Sequence, residues 1–124
     1  MACLRSVVWV FVVALIGDGA SAQRTSPPVT KRCGWFVNPT PANAWLLDRE
    51  AEWTISTQGG AEAEGEWPRF KSSQWVKTNG NHGYGCACLQ VIADSRTHQV
   101  SAIRSASAQN LAVCEKDRSL KAPS

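Results

Sequence analysis

The residues best placed to do chemistry are Cys86 and Cys88, two positions apart, with His82 just upstream. A thiol nucleophile needs a free thiolate and a base. Cys86 or Cys88 with His82, and with Asp94 or Glu115 to orient the imidazole, would supply the parts of a thiol hydrolase. The same sulfurs with Cys114 and either His82 or His98 could hold zinc. Structural zinc favours a Cys-x₂₋₄-Cys knuckle, however, and a Cys-x-Cys on an extended strand splays its ligands. A Cys-x-x-Cys redox motif is absent. Glu62, Glu64 and Glu66 beside Trp67 offer carboxylates next to an aromatic ring, the ingredients of glycoside chemistry. Acids two apart on one extended face more often form a solvated face that discourages aggregation. The spacings therefore point to no catalytic residue, no metal site and no cofactor.

What the cysteines do depends on the compartment, and the first residues bear on that. Arg5, an apolar core over residues 7–16, a Gly17-Asp18-Gly19 break and Ala20-Ser21-Ala22 make up a secretory signal peptide over residues 1–22. The apolar core is far shorter than the roughly 20 residues that span a bilayer, so no membrane span is expected after cleavage. Cys3 leaves with the signal, and Cys33, Cys86, Cys88 and Cys114 remain. An even count in a short exported chain reads as two disulfides. Cys86 with Cys88 is the least favourable pairing, because residues two apart on a strand carry parallel Cβ vectors at the limit of disulfide reach. Cys33 should therefore join one of them and Cys114 the other, with the choice open. Each bridge is worth on the order of 3–4 kcal/mol in the chain-entropy picture.

The element that must position these cysteines is the run Gly83-Tyr84-Gly85-Cys86-Ala87-Cys88-Leu89-Gln90-Val91-Ile92-Ala93. Side chains alternate on a strand, so Cys86, Cys88, Gln90 and Ile92 share one face and Ala87, Leu89, Val91 and Ala93 the other. Both faces are largely apolar, which predicts a central strand covered on both sides. Upstream, residues 23–32 read as a disordered, proline-containing leader, with order beginning at Cys33. A short strand is expected over Cys33-Gly34-Trp35-Phe36-Val37, a turn over Asn38-Pro39-Thr40-Pro41-Ala42-Asn43, and a strand over Ala44-Trp45-Leu46-Leu47. Residues 52–57 alternate, with Trp53 and Ile55 inward and Thr54 and Ser56 outward. Another strand follows over residues 74–78, closed by the Asn79-Gly80 turn. After the central strand, residues 99–104 return antiparallel, with Val100 and Ile103 packing as either a bulged strand or a short helix. Residues 105–110 read as polar loop, Leu111-Ala112-Val113-Cys114 as a last strand, and residues 119–124 as a loose tail. Several short strands without sustained helical period predict a mainly β, disulfide-stapled antiparallel sandwich or barrel-like domain with little helix, over residues 33–118.

Thirteen Lys and Arg against ten Asp and Glu leave a net charge of +3, and no basic run marks a nucleic-acid surface. Five tryptophans follow the signal: Trp35, Trp45, Trp53, Trp67 and Trp75. Most should be core. Trp45 and Trp67 adjoin proline turns, where an exposed ring can stack on a sugar or anchor a protein. With Asn79, His82 and Tyr84 they form the candidate ligand surface. Tyr84 lies between two glycines that either let a ligand approach or permit a bulge.

The chain resembles an uncharacterised family of small secreted bacterial proteins, domain of unknown function 4087. The resemblance rests on Arg32-Cys33-Gly34-Trp35-Phe36, Asn38-Pro39-Thr40-Pro41-Ala42-Asn43-Ala44-Trp45, Asp48-Arg49 and Trp53-Thr54-Ile55. It continues through Gln58-Gly59-Gly60, Trp75-Val76-Lys77-Thr78-Asn79-Gly80 and Tyr84-Gly85-Cys86-Ala87-Cys88-Leu89 to Cys114, Asp117 and Leu120. It implies one exported domain and carries no activity, cofactor or catalytic residue. The family pattern Asn-Gly-x-Tyr-Gly-Tyr stands here as Asn79-Gly80-Asn81-His82-Gly83-Tyr84, which weakens a catalytic reading of His82. The expectation is an exported, periplasmic or secreted binding domain of the bacterial envelope, with a cell-wall glycan or an envelope protein as partner. A purely structural envelope protein, a hydrolase inhibitor and a thiol or carboxylate hydrolase are the alternatives.

Overall fold

The computed structural model describes residues 27–123 continuously, together with Val10, Val12, Ala14 and Gly17. Residues 1–22, where a signal peptide is expected, and the first part of the expected leader thus fall almost wholly outside the described residues. The elements are β1 (Thr30–Thr40), β2 (Asn43–Leu47), β3 (Glu52–Ser56), a 3₁₀ turn (Ser72–Gln74), β4 (Trp75–Asn79), β5 (His82–Ala93), β6 (Val100–Gln109) and α1 (Leu111–Glu115).

All strand pairs are antiparallel, in the order β3-β2-β1-β5-β4, and β6 also pairs with β5. β4 takes the first part of β5 and β6 takes Cys86 to Ala93, so the two share one side of the long central strand. The sheet curls without closing. Only isolated bridges (Thr54 with Gln99, Ser56 with Glu62, Glu64 with Ala102) span from β3 to β6, so the architecture is one curled sheet rather than two packed sheets or a closed barrel.

The alternation expected of the central strand is realised on both sides. Ala87, Leu89 and Val91 of β5 join Phe36, Leu46, Trp53, Ile55, Val100 and Ile103 in the main core. Cys86 faces the other way, into a smaller cluster with Trp35, Val37 and Cys114, against which Trp45, Leu47, Tyr84, Leu111 and Leu120 pack. Cys33 sits directly opposite Cys88 in the β1–β5 ladder and is bonded to it, with Cα atoms 4.0 Å apart. Cys86 is bonded to Cys114.

Several segments differ from the sequence reading. β1 begins at Thr30, because Thr30, Lys31 and Arg32 pair with Val91, Gln90 and Leu89; the last three residues of the expected leader are strand. β1 also runs on to Thr40, reducing the turn to Pro41-Ala42. Pro39 falls at a register irregularity, where its missing donor costs no ladder bond. Ser56 is buried, its Oγ donating to the Ala42 carbonyl at 2.7 Å. Val100 and Ile103 lie on a bulged strand that continues through the expected polar loop to Gln109. The small residues Ser105-Ala106-Ser107-Ala108 carry no hydrophobic signal, yet β5 supplies their ladder. The expected last strand is instead the helix α1. Cys86 lies opposite Gln109, so the chain must double back within a few residues to bring Cys114 to it. A helical turn places Leu111 and Cys114, three apart, on one face. In the expected loose tail, Leu120 packs on the second cluster.

The connection from residue 57 to 74 crosses the open side of the main core, where Trp67, Phe70 and Trp75 cover it. A Cβ on Gly85 would lie 2.5 Å from Phe70 Cε1 and 2.7 Å from the Gln74 carbonyl oxygen. Gly85 is therefore bare so that Phe70 can lie on the sheet backbone, and the close approach anticipated there is made by the protein itself.

Gly85→Ala should lower the unfolding free energy by about 1–3 kcal/mol in urea titrations. Adding Phe70→Ala should cost less than it does in the parent chain, because the clash it relieves offsets part of the loss. Replacing Cys33 and Cys88 together by Ser, which opens a loop of 55 residues, should cost on the order of 4 kcal/mol by the same measurement.

Candidate functional site

The five residues proposed as a ligand surface do not meet on one face. Trp45 and Tyr84 are half-buried on the second cluster, and Trp35 meets the Tyr84 ring edge-on at 5.3 Å. His82 and Asn79 stand at the end of the sheet, where two hairpin tips meet. His82 Nδ1 is 3.2 Å from Asn38 Oδ1, and Asn79 Nδ2 donates to the Pro39 carbonyl at 3.5 Å. Asn38 Nδ2 in turn donates to the carbonyls of Thr40 (2.9 Å) and Asn43 (2.7 Å). These amides and the imidazole tie the β4–β5 hairpin to the β1–β2 hairpin. Trp67 alone of the five lies on the main-core face.

There it forms one wall of an aromatic groove of about 320 Å³ whose base is Phe36. Trp67 meets Phe36 at 5.6 Å in an edge-type contact, and Phe70 lies 5.9 Å from Phe36 and 4.9 Å from Trp75. The Trp75 indole N–H donates to the Asn81 carbonyl at 3.0 Å, which fixes its ring plane. Trp67, Phe70 and Trp75 are each half-buried, so each packs one side and leaves the other accessible. Ser72 and Asn81 supply hydrogen-bonding groups at the rim, and Lys71 and Lys77 supply positive charge. No carboxylate lines the groove, and neither lysine takes part in an ion pair among the described residues. Phe70, Lys71, Trp75 and Lys77 were not among the ligand-surface residues expected from the sequence. The Trp67-Pro68-Arg69-Phe70 spacing and the bare Gly85 were the signals that could have found them.

Charge is arranged differently beside β1. Arg32 Nη1 donates to Asp48 Oδ2 at 2.8 Å and to Glu50 Oε2 at 3.1 Å, and its guanidinium lies 3.6 Å above the Trp53 ring. Asp48 Oδ1 accepts the backbone N–H groups of Glu50 and Ala51 at 2.8 and 2.9 Å. Burial alone would raise the Asp48 pKa. The hydrogen bonds from Arg32 and from the two amides outweigh it and hold the carboxyl below its usual range. This cluster closes the β2–β3 turn and clamps it to β1, which is a structural task.

All four described cysteines are in disulfides, so neither Cys86 nor Cys88 presents a free thiol beside His82. Among the described residues, no three His, Cys, Asp or Glu side chains gather as metal ligands. No helix among them is long and apolar enough to cross a membrane.

The fold and its groove define a small two-disulfide domain built on a single antiparallel sheet, with an aromatic cleft on its main-core face. Residues 28–121 match the family model described as Protein of unknown function (DUF4087), and the chain belongs to that family. No curated protein and no solved structure matches the chain.

Acid should expose the Asp48 cluster. Its folded pKa lies below the unfolded value, so its stabilisation is present above about pH 4 and drains away as pH falls through the folded pKa. Urea midpoints measured from neutral pH downward should show this loss. Asp48→Asn should be less stable at neutral pH and show a shallower decline toward acid.

Proposed function

We propose that this protein is an exported binding domain that holds an acidic glycan in the aromatic groove of Phe36, Trp67, Phe70 and Trp75. The observation that carries the reading is the juxtaposition of half-buried rings with two unpaired lysines and no carboxylate. Sugar rings present apolar C–H faces that pack on aromatic rings, while their hydroxyls hydrogen-bond to amide and hydroxyl groups such as Asn81 and Ser72. A uronate or similar carboxylate completes the match with Lys71 and Lys77. The groove volume lies at the small end of ligand clefts, which suits a short stretch of a chain lying across an open surface. Two disulfides support export to an oxidising compartment. The cell envelope, rich in acidic polysaccharide, is the setting in which such a domain would work.

Titration with an oligogalacturonide should quench or shift tryptophan fluorescence saturably, with affinity falling as salt is added. Trp75→Ala should weaken binding about tenfold. Lys71→Gln and Lys77→Gln should weaken it less and flatten the salt dependence. A folded protein that binds neither acidic nor neutral oligosaccharides would end this reading.

A further inference from the structure

The outer side of β6 is already used once by the chain itself. The Glu64 N–H donates to the Ser101 carbonyl at 3.0 Å, and the Ile103 N–H donates to the Glu64 carbonyl at 2.7 Å. Glu64 thus lies beside Ala102 as a one-residue parallel strand. The pairing stops at Gly65, whose φ of +101° turns the chain away. A Cβ there would overlap the Ile103 carbonyl, so no other residue makes this turn without moving β6.

Beyond Ile103, Arg104 falls at a bulge and residues 105–109 pair with β5 on one side. Among the described residues no backbone hydrogen bond reaches their other side. This free stretch holds neither Pro nor Lys, and its one charged residue is Arg104 at the bulge. Alongside it runs a cleft of about 590 Å³, between the Gly65–Trp67–Arg69 segment and β6. The cleft has a ring wall at Trp67 and two cations, Arg69 and Arg104. Among the described residues Arg104 makes no ion pair, and Arg69 reaches only Glu66, at 3.8 Å with both side chains largely exposed.

We propose that the free edge of β6 is a strand-addition site for an extended acidic peptide segment of a partner protein. The peptide continues the ladder that Glu64 starts, its backbone pairing with residues 104–109. Side chains alternate along it, so one set enters the cleft, where carboxylates meet Arg104 and Arg69 beside Trp67, while the other set points away from it. Charge decides between a partner and a second copy of this chain. Self-pairing would set Ser105-Ala106-Ser107-Ala108 against itself and bring no carboxylate to either arginine. The site is distinct from the aromatic groove, although Trp67 stands between the two.

The probes are a synthetic alternating Val-Glu peptide, its alternating Val-Lys counterpart, and the Val-Glu peptide N-methylated at alternate residues, each titrated into the isotope-labelled full chain. The expected result is saturable binding of the Val-Glu peptide, with amide shifts at residues 104–109 and at Gly65. N-methylation should abolish it, since it removes the donors of one peptide edge and leaves every carboxylate in place. Arg104→Glu should weaken Val-Glu binding about tenfold and favour Val-Lys. Arg69→Glu serves as a second swap should the first fail to fold. Absence of binding overturns the proposal. So do shifts confined to Phe70 and Trp75, undiminished binding after N-methylation, and a β6-edge dimer in sedimentation measurements without peptide.

Discussion

The structure depends above all on the pairing of β1 with β5. Nine consecutive residue pairs, from Thr30 with Val91 to Asn38 with Gly83, join two strands that are far apart in sequence. Closing so long a loop carries a large entropic cost, and the ladder must be held against it. The Cys33–Cys88 bond lies within this ladder, and the apolar side chains of both strands are buried on both faces. Every other element attaches to this pair: β2 and β3 outward from β1, β4 and β6 along the remaining side of β5.

Two-sided burial then requires a cover for each face. The small face is covered by α1 and the segment after it, held by Cys86–Cys114 and by Leu111 and Leu120. The large face is covered by the 57–74 connection, which has few backbone bonds of its own and relies on its aromatic side chains. Such a cover seals imperfectly. The same rings that complete the core leave their outer sides bare, and the aromatic groove and the cleft beside β6 open on either side of Trp67. The candidate sites are thus consequences of how the core is closed.

Charge follows the same division. Near β1, Arg32 is committed to Asp48, Glu50 and the Trp53 ring, and its charge is spent within the fold. Around the cover, Lys71, Lys77 and Arg104 have no such partner among the described residues, so positive charge stands beside accessible apolar surface. An anionic ligand meets attraction there, against which stand the exposed carboxylates of Glu62, Glu64 and Glu66.

Much of this was legible in the residues. The alternation of β5, the inward Trp53 and Ile55, the exclusion of a Cys86–Cys88 bond and the sharing of these two cysteines between Cys33 and Cys114 all follow from local geometry, which a sequence carries directly. Which of Cys86 and Cys88 takes Cys33 required the β1–β5 register, a property of two strands together. The β6 extension through Ser105-Ala106-Ser107-Ala108 and the start of β1 at Thr30 were illegible for a related reason: their order comes from a ladder that β5 offers, not from their own side chains. The helix at Leu111–Glu115 exists because Cys86 lies where it does. The two faces to which Trp45 and Trp67 belong, and hence the groove and the cleft, were decided only when the 57–74 connection crossed the sheet. Alternation along one strand is written residue by residue; the partners brought together across fifty residues are selected by the burial and hydrogen bonding of the whole fold.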